Sequence, residues 1–312
     1  MTAHAADSRR RVLLILLDGV GIGTKDPRRN PLFAAQPPFL QSLLDGEFPS
    51  LRNRRISAAE AECLPLDANL GVAGLPQSGT GQSALYTGVN TARIIGQHFG
   101  PYLYSTLKPV VEEHNIFHRL RNGADSGRAT LANAFPQRFF DYLEGPRRRM
   151  VAGMYAAMAA DLRFRDIDDL KRGEAVSTDI TAERWARIGH PDAPVVTPRG
   201  AGHALARVAA AHDFSLFEYF MTDKAGHDMD ADFAARTLQD VDELLRGLHE
   251  AAPLDELLVL VTSDHGNMEE IGIKTHTRNP VPLIIFGCRD GFDSRSLISI
   301  SDIVPAVCSF LA

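Results

Sequence analysis

Three apolar runs in this chain stop abruptly at residues that bind metals, and that pattern limits the fold more than any other feature. The runs at 12–17, 214–221 and 257–261 are followed by Asp18-Gly19, by Asp223-Lys224-Ala225-Gly226-His227 and by Asp264-His265-Gly266-Asn267. A fourth segment, His276-Thr277-Arg278-Asn279-Pro280-Val281-Pro282, adds an imidazole just before the apolar run 281–286. Apolar runs without alternation fit strands covered on both faces, the condition of a parallel sheet between helices. Open α/β sheets build their sites just past the carboxyl ends of such strands. Carboxylate and imidazole together suit Zn²⁺ or Mn²⁺.

The remaining pattern alternates strand and helix. A short helix is expected at 38–44, a strand at 57–63 and a strand at 128–134. Between them, the small residues from Leu75 to Gly88 form a turn into a helix expected to begin near Gly81 and end near Gly88. The segment 231–248 is amphipathic at helical spacing, with Leu238, Val241, Leu244, Leu245 and Leu248 on one side. Ser301 is placed to cap a last helix through Leu311. The expectation is an α/β fold, a mainly parallel sheet sandwiched by helices. Residues 136–198 break the rhythm and are rich in Arg, Asp and Ala. They read as a small insertion or cap over the active site, with 1–135 and 199–312 forming the core.

Composition excludes some classes of function. The chain has 312 residues, is 45% hydrophobic and carries a formal charge of -6. That charge gives no reason to expect a nucleic acid or an anionic membrane as partner. The cysteines Cys63, Cys288 and Cys308 are widely spaced, with no CxxC, which fits a reducing compartment. The apolar run 12–17 is too short for a membrane span or a secretory segment, so a cytoplasmic protein is expected. Gly19-Val20-Gly21-Ile22-Gly23 lacks the spacing of a dinucleotide fingerprint.

The ligand spacing suggests two ions. Asp223 and His227 are four apart, close enough to meet one metal from a single helical turn. Asp264 and His265 are adjacent, which suits two metals or a loop just past a strand end. Two nearby divalent ions can clamp the attacking and leaving oxygens of an in-line displacement at phosphorus. A nucleophile for that reaction belongs in a turn at a helix N-terminus, where backbone N–H groups also favour phosphate. Ser78 fits, with Thr80 and Ser83 as competitors.

Taken together, these segments resemble the alkaline phosphatase superfamily, and most closely its metalloenzyme branch, which contains cofactor-independent phosphoglycerate mutase and phosphopentomutase. Leu16-Leu17-Asp18-Gly19-Val20-Gly21 is similar to that branch's first ligand strand. Asp264-His265-Gly266-Asn267 and His276-Thr277-Arg278-Asn279-Pro280-Val281-Pro282 are similar to two further motifs. The resemblance covers both ends of the chain, about two-thirds of it. It implies two divalent metal ions, Mn²⁺ or Zn²⁺, one on Asp223, His227 and His276 and the other on Asp18, Ser78, Asp264 and His265. Ser78 would then be both ligand and nucleophile, since in this branch the nucleophile stands three residues before a helix-starting glycine, here Gly81. Gln82 departs from the branch, which usually has histidine there.

The mutases of the branch carry a sizeable cap between nucleophile and downstream ligands. Here Ser78 and Asp223 are only 145 positions apart, and part of that stretch must be core. A small cap admits water, so the expected activity is a phosphohydrolase acting through a phosphoserine on a small phosphorylated metabolite, with a phosphomutase as the alternative. A hydrolase for a non-phosphate bond and a catalytically inactive, metal-stabilised binding protein are the other readings. A sulfatase is excluded by Gly79-Thr80-Gly81-Gln82, which has neither the proline nor the arginine of a formylglycine motif. Arg138, Arg147, Arg148, Arg149 and Lys224 are the candidate anion contacts.

Overall fold

The computed structural model of the protein describes residues 10–121, 128–145 and 149–312. Its strands are β1 (Arg11–Leu17), β2 (Ile56–Ser57), β3 (Ala61–Leu66), β4 (Ala129–Leu131), β5 (Asn133–Ala134), β6 (Val176–Ser177), β7 (Phe214–Tyr219), β8 (Leu257–Thr262) and β9 (Val281–Gly287). Seven of them form one sheet in the order β2-β3-β9-β8-β1-β7-β4. The neighbours β8, β1, β7 and β4 run parallel, whereas β9 is antiparallel to β8 and to β3. The fold is therefore α/β with a mainly parallel centre.

The apolar runs follow from burial on both faces. Val12, Leu14 and Leu16 of β1 belong to one core cluster, and Leu13, Ile15 and Leu17 to another on the opposite face. The first face is covered by the helices Ser78–Thr87, Ala152–Ala159 and Ile303–Leu311. The second is covered by Pro198–Ala210 and Ala231–Ala251. Cutting one such buried leucine back to alanine costs about 2–5 kcal/mol, so each face strongly enforces its strand's register.

Several boundaries differ from the sequence expectation. The strand expected at 57–63 is a hairpin, with Ile56 opposite Cys63 and Ser57 opposite Glu62. The strand expected at 128–134 splits at Ala132, because β4 pairs with β7 while β5 turns away to pair with β6. The last helix is entered from a turn capped by Ser299, not Ser301, through a reciprocal bond with Asp302. The helix expected near Gly81 starts at Ser78 and ends, as expected, at Gly88. Within 136–198, the Ala152–Ala159 helix lies in the main core. Trp185, Leu170, Ala175, Ala182 and Ala134 form a separate small cluster. No helix among the described residues is long and apolar enough to cross a membrane.

Candidate metal centre

Three parallel strands end level with one another. Leu17 of β1 pairs with Tyr219 of β7, and Leu16 pairs with Thr262 of β8. The next residues of all three chains therefore emerge at one edge. β1 delivers Asp18 directly. β7 leads into the helix Met221–Asp228, which carries Asp223 in its first turn and His227 in its last. β8 leads through Ser263 to Asp264 and His265. Gly19 shows how tightly these ends pack. Its φ is +70°, and a Cβ there would lie 2.5 Å from Asp223 Oδ1, so only glycine lets the β1 turn pass beside that carboxylate.

The side chains gather into two groups. Asp223, His227 and His276 form one, and Asp18, Asp264 and His265 the other; in each, one ligand atom per residue lies within 4.8 Å of the others. In the first group His227 Nε2 is 3.2 Å from Asp223 Oδ2 and 3.1 Å from His276 Nε2. In the second, His265 Nε2 is 3.2 Å from Asp18 Oδ1 and 3.7 Å from Asp264 Oδ2. The rings of His265 and His276 stack with centroids 3.8 Å apart, so the two groups share a wall. The second group is fully enclosed, while His227 leaves 40% of its side chain exposed.

Ser78 joins the second group. Its Oγ is 2.9 Å from His265 Nε2. The competing hydroxyls are spent on the backbone: Thr80 Oγ1 donates to Gln77 O at 3.1 Å, and Ser83 Oγ to Gly79 O at 2.6 Å. Gly81 has its own reason for being glycine, since a Cβ there would be 2.7 Å from the Asp264 carbonyl oxygen. The Ser78 helix can thus press against the β8 loop.

Burial and close charges shift the protonation of these groups. Burial, and then the Asp264 carboxylate, push the Asp18 carboxyl well above its ordinary range. Burial opposes a charge on His265, but Asp264 and Asp18 override it and raise the group to about 10. Burial and the charge of His265 press His276 down to about 4. Asp18 Oδ1 and Asn267 Oδ1 are buried without a hydrogen-bond partner. Orphaned oxygens, carboxylates and imidazoles converging in this way fit divalent ions of the Zn²⁺ or Mn²⁺ class. The outer ring nitrogens are already engaged: His276 Nδ1 lies 2.7 Å from Pro76 O and His227 Nδ1 2.8 Å from Lys274 O. Each ring is thereby oriented with Nε2 facing inward, as metal-ligating histidines usually are.

The sequence pattern did not reveal the supporting residues. Glu269 accepts from the backbone N–H of Gly21 at 3.0 Å and of Asn267 at 2.7 Å, from Asn279 Nδ2 at 3.0 Å and from the Thr277 hydroxyl. One buried carboxylate ties together the loops carrying Asp18, His265 and His276. Asn267 Nδ2 donates to Asp223 Oδ1 at 2.7 Å, linking the two groups. Gln82 Nε2 donates to Asp264 Oδ2 at 3.1 Å and Asp18 Oδ2 at 3.3 Å. Asn267 and Asn279 sit inside recognisable motifs; Glu269 carries no such signal.

Of the candidate anion contacts, Lys224 is paired with Asp228 at 2.6 Å. Arg138 and Arg149 are exposed, and the Arg149 backbone is bonded to the Tyr142 hydroxyl. Arg147 and Arg148 lie outside the described residues.

Comparison with known proteins extends this picture. Residues 197–312 match the model of the Metalloenzyme superfamily, a stretch that holds Asp223, His227, Asp264, His265 and His276. The fold is similar to that of the PH0037 protein from Pyrococcus horikoshii, at 16% identity and a TM-score of 0.56 over 97% of each chain. It is also similar to the cold-active alkaline phosphatase of a psychrophilic Shewanella, at 11% identity and a TM-score of 0.54 over 97% of this chain and 100% of the other. The stretch 197–312 is thus similar to the Metalloenzyme superfamily, and the whole chain has an alkaline-phosphatase-like fold. The matched family is one of metalloenzymes, and the two groups of carboxylates and imidazoles are of a kind that could hold divalent ions. Among curated relatives, the 2,3-bisphosphoglycerate-independent phosphoglycerate mutase of Desulforudis audaxviator is 32% identical over 38% of this chain and 24% of its own length. That of Haloquadratum walsbyi is 33% identical over 32% of this chain and 21% of its own. The matched stretch thus spans about a quarter of the length of these curated relatives.

Proposed function

We propose that the protein is a two-metal phosphoryl-transfer enzyme, a phosphohydrolase that works on a small phosphorylated metabolite through a phosphoserine at Ser78. The observation that carries this reading is the 2.9 Å approach of Ser78 Oγ to His265 Nε2, at a helix start, beside one buried and one partly exposed group of candidate ligands. In this reading Asp223, His227 and His276 hold one ion, and Asp18, Asp264, His265 and Ser78 hold the other. When bound, such ions supply charge for the phosphoryl oxygens and lower the pKa of hydroxyls beside them. Ser78 is the nucleophile: its Oγ loses its proton to solvent and forms the bond to phosphorus as the bond to the leaving oxygen breaks. The leaving oxygen takes a proton from solvent, and water then displaces Ser78 Oγ from phosphorus to release phosphate and restore the hydroxyl. In the first turn of the Ser78–Thr87 helix the Thr80 N–H is bonded to Phe99 O at 2.9 Å and the Gly81 N–H to Gln77 O at 2.8 Å, so the backbone N–H groups of Ser78 and Gly79 are the donors for the phosphoryl group. Asn267 and Glu269 hold the ligand loops in register, so the site is assembled before substrate arrives.

Hydrolysis is favoured over mutase chemistry by solvent access and by a short cap. His227 is 40% and Asp223 17% exposed, and the stretch between Ser78 and Asp223 gives its Ala152–Ala159 helix to the core, leaving little chain to seal the site. A phosphomutase is the second reading, because the curated relatives named above are phosphoglycerate mutases. The test is turnover of a panel of phosphate monoesters with Mn²⁺ or Zn²⁺ in H₂¹⁸O. A hydrolase releases ¹⁸O-labelled phosphate in step with substrate loss. Isomerised substrate without released phosphate supports the mutase, and no turnover of any ester contradicts the proposal.

A further inference from the structure

Gln82 stands one helical turn after Ser78, on the same face of the Ser78–Thr87 helix. It is completely buried. Its Nε2 donates to Asp18 Oδ2 at 3.3 Å and to Asp264 Oδ2 at 3.1 Å, so a single neutral amide bridges the two carboxylates of the second ligand group. The other orientation of the amide would aim its oxygen at two carboxylates, so charge alone decides which end faces them. The amide oxygen is left buried and without a partner. A buried unpaired oxygen is destabilising, which argues against a purely structural reason for glutamine here.

The bond also leaves the two oxygens of Asp18 in different states. Oδ2 is engaged by Gln82, while Oδ1 accepts no hydrogen bond and lies 3.2 Å from His265 Nε2, with which it forms an ion pair when the ring is protonated. We propose that Gln82 is a positioning residue for the second metal: by holding the Oδ2 atoms of Asp18 and Asp264 together, it turns Asp18 Oδ1 toward the point where His265 and Ser78 converge. It makes no bond to Asp223, His227 or His276, so its hydrogen bonds reach the candidate ligands of one of the two ions only. This inference rests on the two-metal reading of the site and adds to it a residue that decides how tightly one particular ion is held.

The test is Mn²⁺ binding by metal-stripped full-length protein, followed by calorimetry and by the electron paramagnetic resonance signal of bound Mn²⁺, with no substrate present. The wild type is expected to bind two ions. Asp223→Asn identifies which step belongs to the first group. Gln82→Met, which keeps the volume but removes the donor, is expected to weaken only the other step, by about 10–100-fold, the usual cost of losing a ligand's supporting partner. Gln82→His, which restores an N–H donor, is expected to recover most of that loss. Gln82→Asn, polar but one methylene too short to bridge, replaces the methionine variant if that chain does not fold, and should lose the same step. Equal weakening of both steps together with a lower melting temperature of the metal-free protein would make Gln82 merely structural and overturn the inference. Two steps of wild-type strength in the methionine variant would overturn it while leaving the two-metal reading intact. A wild type that binds no Mn²⁺ or Zn²⁺ would overturn both.

Discussion

His265 and His276 lie face to face, their ring centroids 3.8 Å apart and their planes inclined by 16°. They belong to different ligand groups and come from different loops, one after β8 and the other before β9. The stack makes the two groups one structure: whatever fixes one ring fixes the wall of the other group. His276 is itself fixed by its Nδ1 contact with Pro76 O at 2.7 Å, just ahead of Ser78. The Ser78 turn and both groups of candidate ligands are thus joined through a chain of direct contacts.

Binding of divalent ions should therefore stabilise the whole fold. At a free Mn²⁺ concentration near 100 times the dissociation constant, one site contributes about 2.7 kcal/mol. Thermal melts with Mn²⁺ or Zn²⁺ should shift upward and return on adding a chelator. His276→Ala should reduce the shift by more than one site's share, because its ring also supports His265. A melting temperature indifferent to both ions would contradict the assignment of these residues as ligands.

Ser78→Ala should lower phosphate-ester turnover by about a thousandfold or more, the usual consequence of losing a covalent nucleophile. Thr80→Ala and Ser83→Ala should stay within a few-fold of wild type in turnover, since their hydroxyls bond the backbone at Gln77 and Gly79. Parallel steady-state assays of the three variants decide the matter. Equal losses in all three would point to the helix start rather than to one hydroxyl.

Glu269→Ala removes the acceptor of four donors, at Gly21, Asn267, Thr277 and Asn279. Each buried donor left unpaired costs about 1–3 kcal/mol. Urea unfolding of the metal-free variant should show a loss of at least about 3 kcal/mol, with weaker metal binding at both groups. A loss under about 1 kcal/mol would mean that water replaces the carboxylate and that the three loops are held in some other way.

Glu218, on β7 and fully enclosed, accepts the Tyr86 hydroxyl at 2.7 Å while its other oxygen has no partner. Burial raises its carboxyl from 4.5 to about 7. A raised carboxyl binds its proton more tightly in the folded state, so its contribution is complete below about 4.5 and declines as pH rises toward 7. Across that window the loss is on the order of 3 kcal/mol. Glu218→Gln lacks this dependence. Urea unfolding of the metal-free proteins at about pH 5 and about pH 8 should show the variant gaining on the wild type at the higher pH. Parallel stabilities at the two pH values would contradict the shift.

Sequence reasoning read the centre of the sheet more accurately than its margins, and the reason is physical. The strands β1, β7, β8 and β9 are covered on both faces, so their apolar runs leave little freedom of interpretation. The hairpin of β2 and β3 and the split at Ala132 lie where pairing partners, not hydrophobicity, decide, and a single chain does not display its partners. The ligand residues were legible because carboxylate and imidazole directly follow buried strands. Ser78 was singled out from three hydroxyls by resemblance to the family; in the structure its Oγ lies 2.9 Å from His265 Nε2, whereas those of Thr80 and Ser83 donate to the backbone. Glu269 was invisible because a carboxylate receiving four hydrogen bonds looks, in sequence, like any glutamate in a loop. Gln82 was visible only as a departure from the family pattern, and its bridge between Asp18 and Asp264 needed the fold.

The most direct test of the account is the intact mass of the protein after brief exposure to an aryl phosphate with Mn²⁺ or Zn²⁺, followed by acid quench and peptide mapping. The account predicts one added phosphoryl group on the peptide carrying Ser78, absent from Ser78→Ala and absent when a chelator is present. Turnover without any such adduct in rapidly quenched samples, or an adduct on another residue that survives Ser78→Ala, would contradict it.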